Sequence, residues 1–169
     1  MLLQLLAVSI LASPPSPGRA VVDQASAPTE SPDSAVVLRV TGDVTNPLSL
    51  NLEQLSARPH HEAQTTIHDR TVTYRGVSLP ELLELVGIPE GRELLRTVVF
   101  ARGADGYEVV FALAELSSDF TDRLVLIADL RDGEPLPAKE APLRLVVPGE
   151  KRGARSVWQV VEIEVRTLP

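Results

Sequence analysis

The chain has no cysteine, so disulfides, thiolate nucleophiles and cysteine metal sites are excluded over its 169 residues. Aromatics are scarce at 4%, and a core has to be assembled from Val, Leu, Ile and Ala, which the 44% apolar content allows. Positive charge is also short: 16 Lys and Arg against 23 Asp and Glu give a formal net charge of -7. Nucleic-acid binding needs a basic face to meet phosphates, and this balance argues against it. The apolar run Leu2 to Ala12 is too short to span a bilayer, so no membrane span is expected in the mature chain. No phosphate-loop, dinucleotide or zincin pattern occurs, and no serine has the context of a nucleophile elbow.

That N-terminal run has the length of a signal h-region. Ser13-Pro14-Pro15 breaks it, and Gly18-Arg19-Ala20 places small residues where a signal peptidase reads them. Residues 1–20 are expected to be an export signal cut after Ala20, giving a periplasmic or extracellular protein; the alternative is a buried N-terminal helix. Residues 21–34, rich in Ser, Pro, Asp and Ala without periodicity, read as a disordered linker. The folded domain is then expected over 35–169.

Within that domain the apolar periods are mostly those of strands. AVVLRVTGDV, HEAQTTI, TVTYR, TVVFAR, YEVVFA, LVLIADL, LRLVVP and VWQVVEIEV are the extended runs. Asn51, with Gln54 three residues on, starts a short helix that buries Leu52 and Leu55. Ser78 as N-cap, Glu81 at N3 and Gly87 at the end predict a second helix, with Leu79, Leu82, Leu83 and Val86 as its apolar stripe. A third short helix is expected around Leu113 to Leu116. Gly103 to Gly106 is expected to turn a hairpin, with Asp105 as a turn residue and Tyr107 half in the core. Strands outnumber helices, which places the fold in the α+β class, dominated by a mixed or antiparallel sheet system with short helices.

The order of landmarks resembles the molybdopterin-binding domain of sulfite-oxidase-type oxidoreductases, over about residues 36 to 166. The resemblance rests on Gly42 with Asn46-Pro47-Leu48; on Gly76-Val77 with Leu79 and Leu82-Leu83; and on Asp105-Gly106-Tyr107. Its fourth part is Asp132-Gly133 through Pro135-Leu136-Pro137, Pro142-Leu143-Arg144 and Val147-Pro148-Gly149. It implies a mixed α+β fold around a molybdenum–pyranopterin cofactor, in which a cysteine thiolate ligates the metal and oxygen atoms are transferred to or from small substrates. The family cysteine follows the strand that precedes the Gly-Val-x-Leu element. Here that region reads HHEAQTTIHDRTVTYRGVSL, without a thiol and without the family's long insertion between Ile67 and Tyr74. Molybdopterin is thus the cofactor implied, with bound molybdenum in question.

The resemblance also gives a meaning to the cations of the loop VPGEKRGARSVW. In the family this glycine-bearing loop approaches the cofactor, and its basic residues contact the pterin phosphate. Lys151, Arg152, Gly153 and Arg155 are therefore the cofactor-binding candidates: guanidinium groups bind phosphate by paired hydrogen bonds, and glycines let backbone approach. Arg155 matches the family's loop arginine, and the next family cation falls at Trp158. The alternative is a solvated, charged hairpin loop. His68 joins the candidates because it lies on the loop nearest the missing cysteine, with His60 and His61 close in sequence; a histidine cluster without metal is the competing reading, and no metal ligand is assigned. Arg102 and Arg144 either face the pocket or pair with carboxylates. Catalytic residues stay unassigned, since no paired carboxylates or nucleophile–base arrangement is evident. Three functions remain: an exported molybdopterin-dependent oxidoreductase domain, a non-catalytic module binding a small anion, a pterin or a partner on the same fold, and a structural member of a redox complex. A monomer is expected.

Overall fold

Short apolar runs broken by turn residues fold into two sheets with helices inserted between strands. The computed structural model describes residues 35–67 and 69–169; the expected signal and linker, and His68, lie outside the described residues. In chain order the elements begin with β1 (Leu38–Gly42), β2 (Leu48–Leu50) and α1 (Leu52–Ser56), followed by β3 (His61–Ile67), β4 (Arg70–Ser78) and α2 (Leu79–Val86). Then come α3 (Gly91–Leu94), β5 (Thr97–Gly103), β6 (Glu108–Ala112) and a 3₁₀ turn at Leu113–Leu116. The chain closes with β7 (Leu126–Arg131), β8 (Glu134–Pro135), β9 (Arg144–Val146), a 3₁₀ turn at Gly153–Arg155 and β10 (Val160–Thr167).

The first sheet has the order β2-β1-β10-β5-β6. Its chain ends meet at its centre, because β1 and β10 pair in parallel with Val40 opposite Ile163. The second sheet runs β3-β4-β7-β8, with β9 also on β7. Gly76 sits at a register shift between β4 and β7, where a Cβ would stand 2.2 Å from the Ile127 carbonyl oxygen. Only glycine permits that approach.

Alternation decides what each face of the second sheet covers. Ile127 and Leu145 enter the main core with α2 and the first sheet, whereas Leu126, Ala128 and Val146 enter a smaller cluster with Val72 and Tyr74. Arg144 shares the parity of Val146, and so its side chain goes to the Tyr74 side.

Both predicted caps form. Asn51 and Gln54 make a reciprocal capping box on α1, where Leu55 is buried and Leu52 half-buried. Ser78 accepts a hydrogen bond from the Glu81 N–H, and Gly87 ends α2 in the left-handed region. Leu79, Leu82, Leu83 and Val86 are all buried, each stabilising by about 1.5–3 kcal/mol. The helix α3 was not anticipated: Glu90 caps it without a side-chain hydrogen bond, so no N-terminal signal marks it in the sequence. The last strand begins at Val160 rather than Val157, because Val157 to Gln159 bond outward to other segments.

Candidate functional site

The loop between β9 and β10 brings the candidate residues to one surface, alongside the end of β3. Gly149 turns there with a positive φ of 77°. A Cβ at Gly149 or Gly153 would meet nothing within 4 Å, so both glycines face open space rather than packed neighbours. A groove of about 610 Å³ separates the edge of β3 from Gly149 and Lys151. Next to it, a cavity of about 280 Å³ is lined by Thr65, Thr66, Arg144, Lys151, Gly153 and Ser156, among others. A third cavity, of about 310 Å³, shares Arg144, Gly153 and Ser156 and extends to Tyr107 and Trp158. The three form one face with Arg144 near its centre.

Arg144 is only 7% exposed. Its Nη1 donates to the Tyr74 hydroxyl at 2.6 Å and lies 2.8 Å from Glu140 Oε2. Glu140 also accepts from Arg131 Nη1 at 3.0 Å and from the Tyr74 hydroxyl at 3.2 Å. The Arg144 guanidinium stands 5.0 Å from the centre of the Tyr74 ring and 6.0 Å from that of Trp158. Its Nε is buried without a hydrogen-bond partner. One carboxylate thus serves two guanidiniums beneath the cavities. Burial raises the Tyr74 pKa above its ordinary value; Arg144 opposes that rise and Glu140 adds to it. The choice left open for Arg144 resolves as both alternatives: it pairs with a carboxylate and it lines the pocket.

The loop cations divide. Lys151 is exposed and lines both the groove and the deeper cavity. Arg152 is exposed on the same loop. Arg155 faces inward: its Nε donates to Glu150 at 2.8 Å, its Nη2 also meets Glu150, and its Nη1 donates to Glu115 at 3.1 Å. Its guanidinium lies 4.7 Å from the centre of the Phe111 ring, and the hydrogen bond it donates to Glu150 is the main cause that raises its pKa. Arg155 therefore fastens the loop to the Leu113–Leu116 turn and does not line these cavities. Arg102 is spent on Glu108 and Glu162, each at 2.7 Å.

The histidines are drawn to different elements. His60 Nε2 lies 3.2 Å from Asp129 on β7 while its Nδ1 donates to the Arg58 carbonyl, and His61 Nε2 lies 2.8 Å from Glu81 on α2. Among the described residues no group of His, Asp and Glu stands close enough to hold a metal ion. Asp105 accepts from the Tyr107 N–H, as a turn residue should. Tyr107 is 49% exposed, about half in the core, and its hydroxyl donates to the Ala154 carbonyl across the surface.

Sequence reasoning missed Thr65, Thr66 and Ser156. Thr65 and Thr66 are ordinary strand residues, and only the position of β3 beside the loop makes them pocket walls. A charged residue flanked by Leu143 and Leu145 is the signal that marks Arg144 in the sequence.

One mixed and one antiparallel sheet, with an arginine-lined cavity beside the loop before the last strand, define an α+β domain. The chain belongs to the oxidoreductase molybdopterin binding domain family, whose model matches residues 25–169. Its fold is that of the sulfite-oxidase molybdopterin-binding type. The crystal structure of the sulfane dehydrogenase SoxCD from Paracoccus pantotrophus is similar, with a TM-score of 0.63 and 22% identity. That likeness covers 80% of this chain and 39% of that one. No curated protein sequence matches the chain.

Proposed function

We propose that this domain is an exported member of its family that binds an anionic group in the Arg144–Lys151 cavity and does not hold molybdenum through a protein thiolate. One observation carries the reading: Arg144 is buried under the cavity, shares its carboxylate with Arg131 and keeps Nε unpartnered. A buried cation that shares its one carboxylate with a second arginine is only partly neutralised, and an anion above it offsets the remaining cost. Lys151 adds a second charge at the rim and Ser156 a hydroxyl on the wall, while the Glu150 carboxylate, which also lines the cavity, is engaged by Arg155 and Arg123.

The family's group supplies, when bound, a molybdenum centre for oxygen-atom transfer on a pterin that bears a phosphate. The residues here fit its two ends differently. Phosphate oxygens accept from guanidinium, ammonium and hydroxyl donors, so Arg144, Lys151 and Ser156 would hold that end. The metal end lacks its ligand. The family thiolate would come after β3, where the wall is Thr65 and Thr66 and the sequence continues to His68. Neutral hydroxyls are poor substitutes for a thiolate. No oxygen-transfer step is assigned to this chain. Export, a monomeric state and a small anionic or pterin ligand are parts of the same proposal, the first supported by Leu2 to Ala12 and the Gly18-Arg19-Ala20 site.

The test uses protein purified from a host that makes the cofactor. Elemental analysis is expected to find molybdenum far below one per chain, whereas methyl phosphate binds saturably by calorimetry. Lys151→Ala should weaken that binding about tenfold, the usual scale of one charge-assisted contact. One tightly held molybdenum per chain would overturn the reading and restore oxygen transfer.

A further inference from the structure

The cavity between Tyr107 and Trp158 has no role in holding a phosphate, yet it opens directly from the site that would. It shares Arg144, Gly153 and Ser156 with the anion cavity and has about the same volume, 310 Å³ against 280 Å³. Two aromatic rings border it, both about half exposed: Tyr107 at 49% and Trp158 at 51%. In a chain with 4% aromatics, two such rings on one cavity are a concentrated apolar surface left open to water.

The backbone on both sides of Trp158 is fixed: the Leu145 N–H donates to the Val157 carbonyl at 2.9 Å, and the Gln159 N–H to the Glu140 carbonyl at 3.2 Å. Gln159 itself stands at φ 48°, a left-handed conformation unfavourable for its side chain. The chain accepts that strain at the residue next to Trp158. Tyr107 is fixed by its hydroxyl, which donates to Ala154 at 2.7 Å. The hairpin that bears Tyr107 lies close to Trp158, because a Cβ on Gly103 would stand 2.8 Å from the Trp158 carbonyl oxygen. The Tyr107 ring and the backbone that carries Trp158 are thus fixed, which lowers the ordering cost a ligand would meet.

We propose that this cavity is a subsite for a planar aromatic ring carried by an anionic ligand, with the ring against Trp158 and Tyr107 and the acid group toward Arg144. The proposal rests on the anion-pocket reading above and deepens it. Orientation follows from charge. Asp105 lines this cavity only and repels an anion there, whereas Arg144 lines both cavities and the Glu150 carboxylate of the anion cavity is paired with Arg155. The ligand class is therefore an aryl phosphate or aryl carboxylate, bound by stacking at one end and by ion pairing at the other.

Calorimetry on the full chain would compare 2-naphthyl phosphate, its saturated decahydro analogue and methyl phosphate. The aromatic ester should bind about tenfold tighter than the saturated one, the scale of a single stacking contact. Trp158→Ala should remove that advantage and leave methyl phosphate binding unchanged, while Trp158→Phe retains most of it. Trp158 is the chain's one tryptophan, so its single indole N–H resonance should shift saturably with the aromatic ester. Equal affinity for the two ring systems, or an equal loss of both in Trp158→Ala, would overturn the aromatic subsite and leave the anion pocket standing. Absence of saturable binding by all three phosphates would overturn both.

Discussion

Glu140→Gln is the most discriminating perturbation of the buried network. Glu140 is 6% exposed and lies between Arg131 at 3.0 Å and Arg144 at 2.8 Å. Glutamine keeps the shape and removes the charge, so two guanidiniums lose the one carboxylate they share among the described residues. Removing one partner of a buried ion pair costs about 3–5 kcal/mol, because the other charge stays desolvated and unpaired. Arg131 is about one quarter exposed and recovers some hydration, which places the expectation near the lower end, about 3 kcal/mol. Arg144→Met should cost less, since Glu140 then still has Arg131 and the methionine fills the space. The double variant should be more stable than Glu140→Gln alone, giving a positive coupling in a double-mutant cycle. Urea denaturation reads all three: with a slope of about 2 kcal/mol per molar, Glu140→Gln should lower the midpoint by roughly 1.5 M. Equal midpoints for the two single variants, or a Glu140→Gln midpoint unchanged within error, would refute the claim that the network is a shared-carboxylate triad.

The same network sets an alkaline limit. Tyr74 has its folded pKa raised, so the folded state keeps the hydroxyl proton longer than the unfolded chain does, whose tyrosine ionises near about 10. That contribution is complete below this value and is lost as pH rises through the folded pKa; midpoints measured across this range should fall with pH in the wild type and less steeply in Tyr74→Phe. Leu83→Ala, at a fully buried position of α2, should cost about 2–5 kcal/mol in the same urea assay; an unchanged midpoint would mean that the α2 face is wrong. Gly76→Ala should lower the thermal midpoint strongly or prevent folding, because its Cβ would stand 2.4 Å from the Ala128 Cα as well as against the Ile127 oxygen.

Most elements were legible because their signals are local. Ser78, Glu81 and Gly87 bound α2 by short-range hydrogen bonds, and the Leu79 to Val86 stripe follows from helical period alone. The pairing of β1 with β10, by contrast, joins the two ends of the domain, and nothing in either strand names its partner. The same limit applied to the Tyr107 hydroxyl. The residue's place after a hairpin turn, half in the core, was legible, whereas the Ala154 carbonyl that accepts from its hydroxyl is supplied by the loop before β10.

The loop of residues 149–155 shows most clearly what a charge pattern conceals. Lys151, Arg152 and Arg155 look alike as a cluster of cations, but cations are sorted by the carboxylates that the fold brings to them. Glu150 is adjacent in sequence and Glu115 comes from a distant turn; together they take Arg155 out of the pocket. Arg144 travels the other way. It stands in an apolar run, and its carboxylate is claimed by a second arginine, so a residue whose sequence leaves pocket and ion pair open takes both places, beneath the cavities. The two arginines thus divide the work: Arg155 fastens the loop, and Arg144 lies under the cavity. Arg155→Ala should accordingly loosen the loop, with a lower urea midpoint and little change in methyl phosphate affinity, whereas Lys151→Ala should leave the midpoint within about 0.5 kcal/mol and weaken the phosphate. Calorimetry and denaturation on both variants separate the roles, and a selective loss of phosphate binding in Arg155→Ala would return that arginine to the pocket.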